Sequence, residues 1–228
     1  MFSPELIILF VISILLVWLS TKRVLEAVIL FPAGPGLETV REGGAISNEE
    51  LDYIIERLLM AADTSAHYNI YNKLGHLQGM KVQQYALGDA QREVLIETAI
   101  QNISKGIALA PASPYPWFRF TQLELLKGDY EKAALGLKQS YLNGIFDKRL
   151  FVPRLNAALI LYRHLDQEGI DITVRQITLG MENNPKEIAQ LAWGNRDLLP
   201  AITESLAGNQ ELLKSFNSIY NPFQKENR

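Results

Sequence analysis

From Leu6 to Ser20 the chain reads LIILFVISILLVWLS, without a charge, a proline or a glycine. This run constrains the fold more than any other feature. Counted from Phe2, with Glu5 the single interruption, it covers about 19 residues and reaches roughly 28 Å as a helix, close to the ~30 Å of a bilayer core. It is apolar on every side, whereas a helix packed on a soluble core keeps a polar face. A secretory signal would begin with basic residues and end at a small-x-small site. Here no Lys or Arg precedes the run, and Trp18 to Lys22 reads WLSTK. The expectation is an uncleaved membrane anchor over residues 1–30. Leu6, Phe10 and Leu15 lie in the span, Trp18 sits at the headgroup level, and Lys22 and Arg23 snorkel just beyond it. Counting those two cations by the positive-inside rule places the rest of the chain in the cytoplasm.

The remaining residues are patterned for helices. Two prolines and two glycines in Phe31-Pro32-Ala33-Gly34-Pro35-Gly36 predict a break, with residues 31–46 as a linker. Ser47 followed by Glu50 is a capping box at a helix start. Leu51, Ile54, Ile55, Leu58 and Leu59 follow at helical spacing. A helix is expected from His67 to Leu87, a turn at Gly88-Asp89, and another helix from Ala90 to Leu109 with Val94, Leu95, Ala99, Ile103 and Ile107 on its apolar face. Arg149–His164, Thr173–Met181, Lys186–Ala192, Arg196–Leu206 and Gln210–Tyr220 complete the helical segments of residues 47–220. Residues 221–228 read as a flexible polar tail. No useful length of strand-type alternation occurs, so the expected fold class is all-α.

The most specific segment is Tyr115 to Tyr141, YPWFRFTQLELLKGDYEKAALGLKQSY. Trp117 opens a helix whose inner face continues through Phe120, Leu123 and Leu126. Gly128-Asp129-Tyr130 makes a turn, and Ala133, Leu137 and Ser140 line the returning helix. This segment resembles a tetratricopeptide (TPR) repeat, a helix–turn–helix unit of 34 residues. Trp117 stands at the first large position, Gly128-Asp129-Tyr130 at the turn and Ala133 at the small position. Thr121 replaces the usual Gly or Ala, Glu124 replaces Tyr, and no Pro closes the unit near Ile145. A shift of 34 residues maps Ala99 onto Ala133 and Ile103 onto Leu137, while the turn at Gly88-Asp89 falls about six residues early for that frame. The resemblance implies TPR-like antiparallel helical hairpins in a short α-α superhelix. An irregular helical bundle with one such hairpin is the plainer alternative.

Chemistry is sparsely marked. There are no cysteines, which removes disulfides and thiolate catalysis. The three histidines, His67, His76 and His164, stand in no metal-ligand spacing. Glu49, Glu50 and Asp52 favour the positive end of a helix dipole. Gly34-Pro35-Gly36 and Gly43-Gly44 lack the Lys-Ser/Thr of a phosphate loop, and no serine stands in G-x-S-x-G. With a net charge of -3 and no basic stripe, nucleic acid is not an expected partner. No cofactor, no metal and no enzymatic activity are expected. TPR-like stacks bind peptides along their first helices, so the resemblance implies Phe118 and Gln122 as groove residues. Arg149 and Arg154 follow as cations for an acidic partner.

A narrower resemblance covers residues Leu77 to Asp166. Ala110-Pro111-Ala112-Ser113-Pro114-Tyr115-Pro116-Trp117, the Gly-Asp turn, Ser140-Tyr141-Leu142-Asn143-Gly144, Arg149-Leu150, Arg154-Leu155 and Leu161-Tyr162 are similar to VpsP-like proteins. These are membrane-anchored bacterial helical proteins associated with exopolysaccharide biosynthesis. The resemblance implies an inner-membrane adaptor or scaffold of polysaccharide assembly or export, with other membrane or envelope proteins as partners. It also implies a periplasmic helical domain, against the charge rule, and that side is the one adopted. A structural accessory subunit of another membrane complex is the alternative.

Overall fold

The computed structural model describes residues 3–226 except Phe146, Asn195, Asp197 and Leu198. The described residues contain helices and connections and no strand, as the periodicity predicts. They fall into two compact units, the first ending at Pro111 and the second beginning at Ala112, so residues 47–220 are divided between both.

In the first unit, α1 spans Pro4–Leu30, capped by Ser3, whose side chain accepts from the Leu6 amide. The expected break after Leu30 does not occur. A short 3-10 turn, Phe31–Ala33, leads into α2, Gly34–Arg41. Pro32 and Pro35 occupy first-turn positions, where a missing N–H costs nothing. Gly36 serves close packing: a Cβ there would lie 2.6 Å from Ile54 Cδ1 and 2.7 Å from Glu50 Oε1. The stretch read as a linker is therefore helical as far as Arg41.

Helix α3, Asn48–Thr64, starts as the capping box predicts, the Ser47 hydroxyl accepting from the Glu50 amide at 3.1 Å. Leu51, Ile54, Leu58 and Ala61 are buried with Ala33, Ile70, Leu74 and Leu77. Leu59 turns outward and is 46% exposed, because it follows Leu58 by about 100° on a 3.6-residue helix. Helix α4, Tyr68–Lys81, is shorter than expected and ends in a 3-10 turn, Val82–Gln84. Lys81 pairs with Asp52, and Gln84 donates to Asn48 at 2.8 Å. The end of α4 therefore meets the start of α3. Helix α5, Ala90–Leu109, has the expected bounds and an Asp89 cap. Its buried face is Ile96, Ala99, Ile100 and Ile103, and Val94 is 66% exposed. The apolar face is thus rotated from the expected one, since partner packing selects among several adjacent apolar positions.

The second unit opens with α6, Pro114–Lys127, and α7, Tyr130–Leu142. The Gly-Asp turn works as the sequence predicts. Gly128 takes φ +86°, and Asp129 caps α7 by accepting from the Lys132 amide, a left-handed conformation that glycine adopts without strain. Helices α8, Lys148–Ile160, and α9, Gln167–Asn183, follow, joined through a 3-10 turn at Tyr162–His164. Then come α10, Pro185–Gly194, α11, Leu199–Leu206, and α12, Gln210–Glu226. The expected boundary at Gly194-Asn195 and the helix start at Arg196 fall partly outside the described residues. Helix α12 continues through the stretch read as a tail; Asn227 and Arg228 lie outside the described residues. Two apolar clusters fill the unit. One lies around Ala133, Leu137, Tyr141 and Ala158, the other around Ile177, Ile188, Ile202 and Phe216.

Candidate interaction surface and membrane helix

Every described large apolar side chain of α1 from Leu6 to Leu19 is 46–67% exposed. Among the described residues, one helical segment has an 18-residue window apolar enough to cross a membrane, with mean hydropathy 2.0 and none of it buried. A burial of 0% separates α1 from the core helix of a soluble protein. Leu6, Phe10 and Leu15 lie on this exposed stretch, and Ser13 and Thr21 return their hydroxyl protons to the carbonyls of Leu9 and Val17 at 2.8 Å. Such back-bonding satisfies the hydroxyl protons within the helix itself. Lys22 Nζ lies 3.9 Å above the Trp18 ring, and Arg23 pairs with Glu26 at 3.0 Å.

In the second unit, the resemblance-derived residues separate into two environments. Phe118 is 5% exposed and packs with Ala133, Leu137 and Tyr141. Its ring is on the α6 face that meets the small residues of α7, and a groove has no access to it. Arg154 is 1% exposed. Its Nε donates to the Ser140 hydroxyl at 2.9 Å, and its two terminal nitrogens donate to the carbonyls of Ser140 and Gly144 at 2.6 Å. The Ser140 carbonyl lies in the last turn of α7 and Gly144 just past its cap, where a helix leaves acceptors unsatisfied and its dipole is negative. Arg154 is thus a side-chain cap, placed inside by local need for donors. Burial lowers its pKa, offset in part by Tyr141, Asp147 and Tyr115.

Gln122 and Arg149 are on the surface. The Arg149 guanidinium lies 5.1 Å from the ring centre of Tyr115, whose hydroxyl donates to Asp147. Burial pushes the Asp147 carboxyl up, but the Tyr115 hydroxyl, the Arg149 amide and the charges of Arg149 and Arg154 outweigh it and leave the pKa lowered. Asp147 also caps α8 by accepting from the Arg149 amide at 3.0 Å. Tyr115 and Gln122 are seven residues apart on α6, hence on one face about 10 Å apart. The surface formed by Tyr115, Gln122 and Arg149 offers an aromatic ring, an amide and a cation. Tyr115 was not singled out by the sequence; its spacing to Gln122 was the available signal.

The hairpin itself explains its departures from the repeat pattern. Thr121 is fully buried and donates to the Trp117 carbonyl at 3.0 Å. The small residue lies opposite, on α7: a Cβ on Gly136 would be 2.9 Å from Thr121 Oγ1 and 2.8 Å from Phe120. Phe120 is only half-buried and Leu126 is 37% exposed, so the inner face runs through Phe118, Thr121, Leu123 and Glu124 instead. Among the described residues no group of three or more His, Asp or Glu side chains is placed to hold a metal ion.

No family model matches the chain, and no curated protein matches it. Among solved structures, the crystal structure of MamA, a TPR-type helical repeat protein, aligns with a TM-score of 0.50 at 13% identity. The alignment covers 83% of this chain and 94% of that one. At that identity the likeness concerns the fold alone: this chain is an all-α, TPR-like helical protein carrying one long apolar N-terminal helix.

Proposed function

We propose that the chain is a membrane-anchored adaptor that docks other proteins on its TPR-like helices. In this reading it serves bacterial exopolysaccharide biosynthesis or export from the inner membrane, with the helical units on the periplasmic side. The observation that carries the reading is the pairing of α1, whose apolar stretch to Leu19 is exposed, with helical hairpins of TPR type. An adaptor needs attachment and a surface, and this chain has a candidate for each. The surface of Tyr115, Gln122 and Arg149 suits an acidic segment of a partner: Arg149 supplies charge, and the Tyr115 ring holds the guanidinium in place. Phe118 and Arg154 support that surface from within.

Affinity purification of the full chain from bacterial membranes, read by mass spectrometry, tests the proposal. Wild-type chain is expected to recover envelope proteins. The Gln122→Ala/Arg149→Glu variant should lose them by about tenfold, the effect of ~1.4 kcal/mol at a contact of this kind. Recovery of no partner, or equal recovery by the variant, counts against the assignment of this surface.

A further inference from the structure

The first unit stands very close to the foot of α1. Helix α3 runs back along the chain: its start packs at Gly36, and its end, Thr64, lines a groove of about 640 Å3 with Ser13, Trp18, Lys22 and Leu25. If α1 crosses the bilayer with Trp18 at the headgroup level, the hydrocarbon ends near Ser20, where the uncharged run ends. Thr21 to Leu30 then rise about 15 Å to the core, where Ile29 and Leu30 pack. Helix α3 runs back over that distance and brings Thr64 beside Trp18 and Lys22, within a headgroup layer about 5–8 Å deep. No spacer lifts the near edge of the unit clear of the lipid.

That edge consists of the α3–α4 connection and the end of α5. A Cβ on Gly106 would lie 3.4 Å from the Tyr68 carbonyl, so the last turn of α5, with Lys105 and half-exposed Leu109, ends at the same corner. Cations gather there. Burial, then Arg23, with Lys73 adding to them against Glu26, holds the His67 pKa below 6.5. Lys22 lines the groove with Thr64, and the Lys105 ammonium lies 5.6 Å from the ring centre of Tyr71 near the start of α4. Glu26 and Asp63 are the acids beside them. Basic side chains, a Trp at the helix foot and an exposed Leu form the composition of a surface that sits among headgroups.

We propose that the α3–α4 corner of the first unit is a second membrane contact, seated in the headgroup layer and held there by anionic phospholipid. The proposal rests on α1 spanning the bilayer, and its test separates the two. The chain has no cysteine, so one introduced thiol carries one probe. Full-length Ala66→Cys, Leu15→Cys and Gln83→Cys are labelled with an environment-sensitive fluorophore. Each is reconstituted in phosphatidylcholine vesicles with or without phosphatidylglycerol, containing nitroxides at the headgroup or at the bilayer centre. Gln83 is exposed beside the far end of α4 and serves as the distant site.

Headgroup nitroxide is expected to quench the Ala66 probe several-fold more than the Gln83 probe, and more strongly with phosphatidylglycerol present. Lys73→Glu/Lys105→Glu should remove that phosphatidylglycerol dependence. If Leu15 is quenched from the bilayer centre while Ala66 and Gln83 behave alike, the corner contact is wrong and the span stands. If Leu15 escapes central quenching, the span fails and the proposal with it. Equal Ala66 quenching in both lipids overturns the role of anionic phospholipid.

Discussion

Arg149 and Arg154 are five residues apart on one helix and have opposite fates. Arg149 lies on the surface over Tyr115, whereas Arg154 is enclosed and donates to Ser140 and Gly144. Replacing Arg154 with Met keeps much of the volume and leaves the buried Ser140 carbonyl and hydroxyl and the half-buried Gly144 carbonyl without their donor. We expect a loss of about 2–4 kcal/mol in chemical denaturation of the full chain in detergent. Arg154→Lys should recover only part of it, because one ammonium cannot reproduce a planar fork. Arg149→Glu should change stability by less than about 0.5 kcal/mol, as a surface substitution does. Nothing in the sequence separates these two arginines. The distinction comes from where α7 ends, and the helix ends are brought together by tertiary packing. Phe118 was legible as a large apolar residue on α6, but its inward direction depended on the small residues of α7.

At the scale of elements, the caps and turns were legible because they are local. Ser47 with Glu50, Asp89, and Gly128 with Asp129 act within four residues of themselves. In the α4–α5 hairpin the bounds of α5 were legible and the end of α4 was not, because the connection contains a 3-10 turn and runs from Val82 to Asp89, unlike the two-residue Gly128-Asp129 turn between α6 and α7. Its close approach is made by Gly75, where a Cβ would lie 2.4 Å from Ile103 Cγ1 and 2.8 Å from the Ala99 carbonyl. One contact is backbone, so the neighbour cannot simply rotate away. Gly75→Ala gains helix propensity but forces α4 and α5 apart, and we expect a net loss of about 1–3 kcal/mol. The buried hydrogen bond from Asn102 to Gln78, 2.8 Å across the same pair, reports the strain: its coupling energy in a double-mutant cycle should shrink in the Gly75→Ala background. Residues 31–41 depart from the expected linker for a related reason. Prolines and glycines break a helix in its interior, whereas here they stand at helix starts and under a close contact.

For the whole molecule, composition and periodicity were enough for the all-α class, and a TPR-like fold followed from one good repeat. The side on which the proposed anchor would hold the helical units was not legible, since Lys22 and Arg23 favour one side and the VpsP-like resemblance the other. On the periplasmic reading, alkaline phosphatase fused after Arg228 should be active in intact bacteria and a fluorescent protein in its place dark. The opposite pair of results would put the helical units in the cytoplasm.

The absence of a break between α1 and α2 has a mechanical meaning. The 3-10 turn at Phe31–Ala33 carries the helical path into the packed core, where Gly36 meets Ile54, with no loop to act as a hinge. A helix longer than the bilayer is thick adjusts by tilting. If α1 spans a bilayer as proposed, such a tilt has no joint in which to dissipate, and the rest of the first unit leans with α1 like a mast fixed to its keel. Local bilayer thickness would then set the angle at which the first unit presents itself.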